Sequence, residues 1–443
     1  MPLREHQSRS FLLTSLLVLA VTAGLLVLLG GGKSLFGARS EDATGIFQPQ
    51  QAVPTAPEIA ARAPGTSPAA PPAEASPTPE SASGIMLEPN ELRTYQPNEL
   101  GVVPILEYHM ITTDPAEVAQ FVRLADDMRA DLQWLYEHDF YIVPLRDVFN
   151  NTIQVPAGKH PVALTFDDGT STQFSFIKDK NGELVPDPDT AVGILEAFYA
   201  KHPDFGRGGH FAPLIFNGFA NPDTSQEPYF EEKLHWLVER GYEVGNHTKQ
   251  HNDLYDMDTD HFVEVVAEPI AYMDKVLGDI PQNQSRILTL PFGNSPDKDL
   301  HPDQRKMMRE GIPYEGTTYH LTGALLVGAD PAPSPASTEW DPIWTPRIQA
   351  FDDSLDFWFD MFENGGVILY TSDGNPDTVA VPTPLPASME GTLDIDALTA
   401  AGKAVIQYDP DTGKVASTTI PVGGMAAVDP VRPRERGRLG IES

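Results

Sequence analysis

From about Gly101 onward, short apolar runs alternate with amphipathic stretches: VVPILEY, a helical pattern, FYIVPL, then PVALTF. Hydrophobic periods that switch between two and 3.6 residues predict parallel strands joined by crossover helices, an α/β fold. Asp114, Pro115 and Glu117 read as an N-cap, a first-turn proline and a capping-box partner. Val118, Phe121, Val122, Ala125, Met128, Leu132 and Leu135 follow as one stripe, so the spacing predicts a helix that begins at Pro115. Further helices are expected over 229–240, 261–277 and 354–363, the last stopping at Asn364-Gly365-Gly366. Strands are expected at 210–216, 242–245, 287–290 and 367–370, and there is no internal repeat.

Outside this region the pattern changes. Phe11 to Leu29 carries no charge, and at 1.5 Å per residue it spans about 28 Å, the thickness of a bilayer's hydrocarbon core. It reads as an uncleaved membrane anchor; the competing reading, a cleaved signal peptide, lacks a clean A-x-A site. Nine prolines between Pro49 and Pro79, with no aromatic residue between Phe47 and Tyr95, make a spacer. After Pro376, TVAVPTPLPAS reads as linker and the following residues as a small β piece with a turn at Asp409–Gly413, then a basic tail. The expected organisation is a tip and anchor (1–40), a linker (41–100), a main domain (101–375), and a linker, β piece and disordered tail (376–443).

Composition narrows the chemistry. Thirty basic against 63 acidic side chains leave a net charge of −33, which repels phosphate backbones and excludes a sequence-independent nucleic-acid binder. With no cysteine there is no thiolate site or Cys nucleophile, so any metal must use His and carboxylates.

Two motifs answer to that restriction. PVALTF runs into Asp167-Asp168-Gly169, which puts two carboxylates at the C-terminal end of a parallel strand, where α/β folds assemble sites. Another strand is followed by GNHTKQH, whose His247 and His251 are spaced to share one face of a helical turn and chelate one cation, with Asp168 as the natural third ligand. Each motif also occurs as an ordinary polar turn; their shared placement at strand ends favours a metal site.

TFDDG at 165–169, GNHTKQH at 245–251, LPFG at 290–293 and the VPILEYH opening at 103–109 resemble the polysaccharide deacetylase family, carbohydrate esterase family four, over roughly Gly101 to Asn375. The resemblance implies a distorted (β/α) barrel of the polysaccharide deacetylase type, a divalent metal, usually zinc, and hydrolysis of the acetamide of N-acetylated sugars. Carried over residue by residue, it makes Asp167 the general base, Asp168, His247 and His251 the metal ligands, and the backbone N–H of Phe292, after Pro291, a support for the oxyanion. Two positions depart from the family. No Arg directly precedes Pro291, Arg286 lying several residues upstream, and the family's late L-x-H-D histidine is missing from Leu369–Gly374. Since an amine leaving group needs a proton, His109 or Asp167 itself is the candidate donor, His109 having a structural role as its alternative; Asp373 is a candidate orienting or substrate-binding residue. The expected activity is removal of N-acetyl groups from cell-envelope or extracellular polysaccharide, by an enzyme tethered outside the membrane, or secreted if the anchor is cleaved. The rival is a glycan-binding or scaffolding protein on the same barrel, motivated by the missing histidine. Tyr255, Trp340, Trp344 and Phe292 offer sugar-stacking faces or buried packing.

Overall fold

The computed structural model describes residues 86–421. The anchor segment, most of the expected linker and the basic tail lie outside the described residues. Among the described residues, no helix is long and apolar enough to cross a membrane.

Eight parallel strands form the main sheet: β1 (Ile105–Tyr108), β2 (Phe140–Ile142), β3 (His160–Asp168), β4 (His210–Pro213), β5 (Glu243–Asn246), β6 (Asn283–Thr289), β7 (Gly323–Leu325) and β8 (Ile348–Gln349). Their order is β7-β6-β5-β4-β3-β1-β8, with β2 paired to the first residues of β3. The sheet curls. Leu326 N–H donates to the Thr345 carbonyl (2.9 Å) and Thr345 N–H to the Ala324 carbonyl (3.0 Å), which ties the β7 edge to residues just before β8. β3 is buried on both faces along nearly its whole length: Leu164 and Phe166 join the core under the helices, while Thr165 and Asp167 point to the inside of the curl.

The helices that cover the outer face include α2 (Ala125–Glu137), α4 (Ala191–Lys201), α5 (Phe230–Glu239), α6 (Thr259–Leu277) and α8 (Asp352–Glu363), with shorter α1 (Pro89–Tyr95), α3 (Leu145–Phe149), α7 (Pro302–Glu310) and α9 (Ile395–Ala400). The expected helices at 229–240, 261–277 and 354–363 are present within two residues of their predicted ends.

Four expectations fail. The helix expected from Pro115 starts instead at Ala125. Asp114 caps only a single turn at Pro115–Glu117, and Glu117, the supposed capping-box partner, accepts a hydrogen bond from Thr112 Oγ1 (2.7 Å). Val118 and Phe121 are therefore exposed on a strap. Residues 367–370 make no strand; they lie along Val102 through two hydrogen bonds. The expected linker TVAVPTPLPAS contains β9 (Thr378–Pro382), which pairs parallel to β10 (Ala404–Tyr408), itself antiparallel to β11 (Val415–Thr419). The turn at Asp409–Gly413 does join a hairpin, as expected, with Asp409 Oδ1 accepting from Asp411 and Thr412 N–H. Residues 89–100, which fall in the expected linker, form α1 and bury Leu92 and Leu100, the latter with Val379, Val381, Leu398 and Val405.

Candidate metal centre

The C-terminal ends of β1, β3, β5 and β6 converge on one mouth of the curled sheet. Glu107 and His109, two residues apart, share the inward face at the end of β1. Asp167 continues the inward row of β3. Asp168 then leaves the strand at φ +75°, and Gly169 at φ +62° allows the tight exit, since a Cβ there would lie 2.5 Å from Pro213.

His247 and His251 meet Asp168 as the sequence predicts, though not on a helical turn. The 247–251 stretch is a loop with Thr248 at φ +63° and His251 at φ +57°. Asn246 Oδ1 holds it by accepting from Thr248 N–H (2.9 Å), and Thr248 Oγ1 accepts from Asn252 N–H (2.8 Å). With Phe292 at φ +59°, four non-glycine residues of this one site occupy the left-handed region. Each costs of order 1–2 kcal/mol of backbone strain, and such strain gathers where geometry serves function.

Asp168 Oδ1 lies 3.2 Å from His247 Nε2 and 3.6 Å from His251 Nε2. On the far side of the His247 ring, Nδ1–H donates to the Thr289 carbonyl (2.9 Å), so in the neutral ring Nε2 carries the lone pair. That Nε2 is buried without a hydrogen-bond partner and faces a carboxylate oxygen. At 3.2 Å a carboxylate oxygen and an imidazole nitrogen that face each other share a positive charge, a proton or a metal ion. One carboxylate and two imidazole donors, all within 4.8 Å of one another, therefore fit a divalent metal.

Burial and His247 lower the His251 pKa to about 4, so it is a neutral donor at physiological pH. Burial works to raise Asp168, but the adjoining His247, with the charges of His109 and His251, holds it down at about 2, and Asp167 and Asp168 in turn raise the His247 pKa against burial.

Asp167 is fully buried beside this triad, and sequence reasoning missed its principal partner. Arg347, also fully buried and placed just before β8, donates Nη1 to Asp167 Oδ1 (2.9 Å) and Nη2 to Oδ2 (2.7 Å). Its Nη1 also reaches Thr165 Oγ1 (3.0 Å) and its Nε the Leu326 carbonyl (2.9 Å). Against burial, Arg347 chiefly, with His247 and His109, keeps the Asp167 carboxyl below the usual carboxylate range. Arg286 has no part in this: from the middle of β6 it pairs with Asp274.

Glu107 was also missed. Its Oε1 lies 3.1 Å from Arg347 Nη2 and 3.7 Å from His109 Nε2, and burial pushes its carboxyl up in spite of them. Glu107, His109 and Asp167 form a second cluster of metal-ligand types. There the Arg347 guanidinium already supplies the positive charge. Gln173 ties the two strand ends together, its Nε2 donating to the His109 carbonyl (2.9 Å) and to that of Asp167. A lone Glu in the apolar run VVPILEY was the available signal for Glu107; Arg347 came with no motif.

Phe292 sits over the triad, its ring 4.4 Å from that of His251, with Pro291 buried beneath the turn. His109 joins the site, but Asp373 does not. Asp373 accepts from Asn375 N–H and from Thr378 Oγ1, and its own N–H donates to Glu99. The neighbouring Ser372 carbonyl accepts from Gly158 N–H, just before β3 begins, so this segment lies at the opposite end of the sheet from Asp167. The stretch matched to the family's late histidine motif never reaches the site. The strand that does flank β1, β8, ends at Gln349. Trp340 packs on Phe149 and Trp344 lies under the Arg305 guanidinium, so both rings are engaged in packing.

No family model matches the chain, and no curated protein matches it. Solved structures do. A deacetylase of Streptococcus pyogenes, PplD, in complex with acetate is 18% identical with a TM-score of 0.41, covering 56% of this chain and 92% of that one. IcaB from Ammonifex degensii is 15% identical with a TM-score of 0.41, over 59% and 97%. BA0330 of Bacillus anthracis, described as a putative polysaccharide deacetylase, is 15% identical with a TM-score of 0.41, over 59% and 68%.

Proposed function

We propose that the protein is a metal-dependent carbohydrate N-deacetylase, with Asp168, His247 and His251 holding the metal and Asp167 as general base. The observation that carries this reading is the orphaned, buried Nε2 of His247 facing Asp168, beside a second buried carboxylate that has no place in the metal triad. A divalent cation, zinc being the one that such a donor set commonly selects, supplies when bound a Lewis acid and an acidified water.

The chain's own residues do the rest. Asp167, kept ionised by Arg347, takes a proton from the attacking water. The Phe292 backbone N–H meets the charge that develops on the acetamide oxygen. His109, beside Glu107, gives a proton to the departing amine nitrogen, the task of the histidine missing from Leu369–Gly374. Water and amide thereby become acetate and a free amine.

The tether implied by Phe11–Leu29 and the proline-rich spacer would keep this enzyme beside its own envelope, where a polymeric substrate is concentrated. The test is acetate release from N-acetylglucosamine oligomers and peptidoglycan by the full chain, with and without zinc, beside Asp167→Asn. Turnover that needs zinc and falls by about 10²-fold or more in Asp167→Asn supports the reading. Zinc bound stoichiometrically without acetate release from any acetylated glycan refutes it.

A further inference from the structure

His251 and Phe292 both hold a left-handed backbone, at φ +57° and +59°, and two residues beyond each a side chain reaches across to the other loop. The Asn294 amide donates from Nδ2 to Asp253 Oδ1 (3.1 Å) and Oδ2 (3.0 Å). Beyond this pair the two segments stay together. Asp297 N–H donates to the Tyr255 carbonyl (3.0 Å), His301 Nε2 lies 2.9 Å from Asp256 Oδ1, and Gln304 Nε2 donates to the Met257 carbonyl (2.6 Å). Toward the site, the His251 and Phe292 rings meet edge-on with their centres 4.4 Å apart.

Neither loop needs the Asp253–Asn294 bond to close on itself. Asn246 and Thr248 close the metal loop, while Gly293 N–H donates to the Leu290 carbonyl (2.9 Å) and Asn294 N–H to the Pro291 carbonyl (3.0 Å). Those bonds leave the position of one loop against the other unset. Left-handed non-glycine residues persist only where their surroundings over-determine them, and an oxyanion donor is effective only within a few tenths of an ångström of its station. The pair stands at the point where both demands meet. Asp253 is exposed and Asn294 half-buried, so a bond between them adds little to global stability.

Resting on the deacetylase reading, we infer that Asp253 and Asn294 are positioning residues that register the Phe292 backbone N–H against His251. The metal loop and the oxyanion support are then held as one unit and meet the same acetamide. Without the bond both loops still form, but the Phe292 turn shifts against the metal loop, which costs turnover and leaves metal and substrate binding alone.

The experiment uses the full chain and measures kcat and KM for acetate release from N-acetylglucosamine oligomers, zinc affinity, and amide hydrogen exchange over 290–297. Asn294→Asp turns two carboxylates on each other where an amide met one. Its kcat falls about tenfold, a part of the loss that removing an oxyanion donor outright would cause, and exchange over 290–297 speeds up. KM and zinc affinity stay at the parent values. Combining Asp253→Asn with Asn294→Asp exchanges the partners, restores an amide-to-carboxylate bond, and leaves an oxygen to accept from Tyr255 N–H as Asp253 Oδ1 does (2.9 Å). That exchange recovers most of the lost kcat and slows the amide exchange again. With an active parent, an unaltered kcat in Asn294→Asp, a loss carried by KM or zinc affinity, or a double variant no better than the single one overturns this inference alone. A parent that releases acetate from no oligomer overturns the deacetylase reading and this one with it.

Discussion

At the scale of single residues, Arg347 decides the state of the site. It is fully buried and spans Asp167, Glu107 and Thr165, so its charge is the one that makes two buried carboxylates tolerable. Replacing it with Met strands those charges, and breaking a buried pair in this way costs about 3–5 kcal/mol. Arg347→Met should therefore lower the melting temperature. It should also move the acid limb of kcat/KM to higher pH, because Asp167 loses the partner that holds its carboxyl low. The stability term follows the same sign. A depressed folded pKa contributes above the unfolded value near 4 and is lost as pH falls through the folded one, so the parent and Arg347→Met should converge in stability in strong acid. Thermal melts at several pH values beside a pH–rate profile check both halves, and an acid limb that stays in place removes Arg347 from the base's environment. The proposed metal ligands give a second residue-scale expectation. Zinc should raise the melting temperature, and go on raising it with the logarithm of free zinc above the dissociation constant, a chelator should reverse this, and His247→Ala should abolish the shift.

At the scale of elements, much of what positions the site was legible in the sequence because strand periodicity and strand-end motifs are local signals. β3 with its Asp-Asp-Gly exit, and α5, α6 and α8, fall where the pattern puts them. What was illegible depends on distant partners. Glu117 satisfies Thr112 instead of closing a capping box, and Arg347 meets Asp167 across 180 residues. β9 was hidden by its prolines, although they fall at its last residue and beyond, where no ladder hydrogen bond is lost. The contact of β9 with Glu99 and the Asp373 segment makes its own prediction. Glu99 accepts from Asp373 N–H and Ala380 N–H, and burial, with Asp373 adding for Glu99, pushes both carboxyls up; Tyr370 and Lys403 are the other groups that face them. A carboxyl whose folded pKa is raised loses stability as pH climbs from its unfolded value toward the folded one, by about 1.4 kcal/mol per pH unit for each proton. Glu99→Gln removes one such group, so its melting temperature should fall less steeply above pH 4.5 than that of the parent. Parallel curves for the two proteins would show that Glu99 does not titrate in that range.

At the scale of the molecule, the folding unit is larger than the stretch from Gly101 to Asn375 that carries the family resemblance. Leu100 is buried with Val379, Val381 and Val405, the Tyr408 hydroxyl donates to the Pro97 carbonyl (3.0 Å), and a Cβ on Gly413 would stand 1.7 Å from the Pro89 carbonyl oxygen. A chain cut to 101–375 exposes that apolar cluster and leaves the Asp373 segment without Glu99 and Thr378. It should aggregate or melt without a cooperative transition, whereas residues 86–421 should unfold in one transition and release acetate from soluble oligomers at the rate of the full chain. The two should part only on insoluble polymer presented with membranes, where an anchored enzyme gains effective concentration that a free one lacks. Equal rates on soluble oligomers and a deficit for 86–421 on membrane-bound polymer would assign the N-terminal segment to reach. A deficit on both would mean that residues before Met86 or after Pro421 contribute to activity itself, and a fully active 101–375 fragment would show that the C-terminal sheet is an appendage to the proposed catalytic fold.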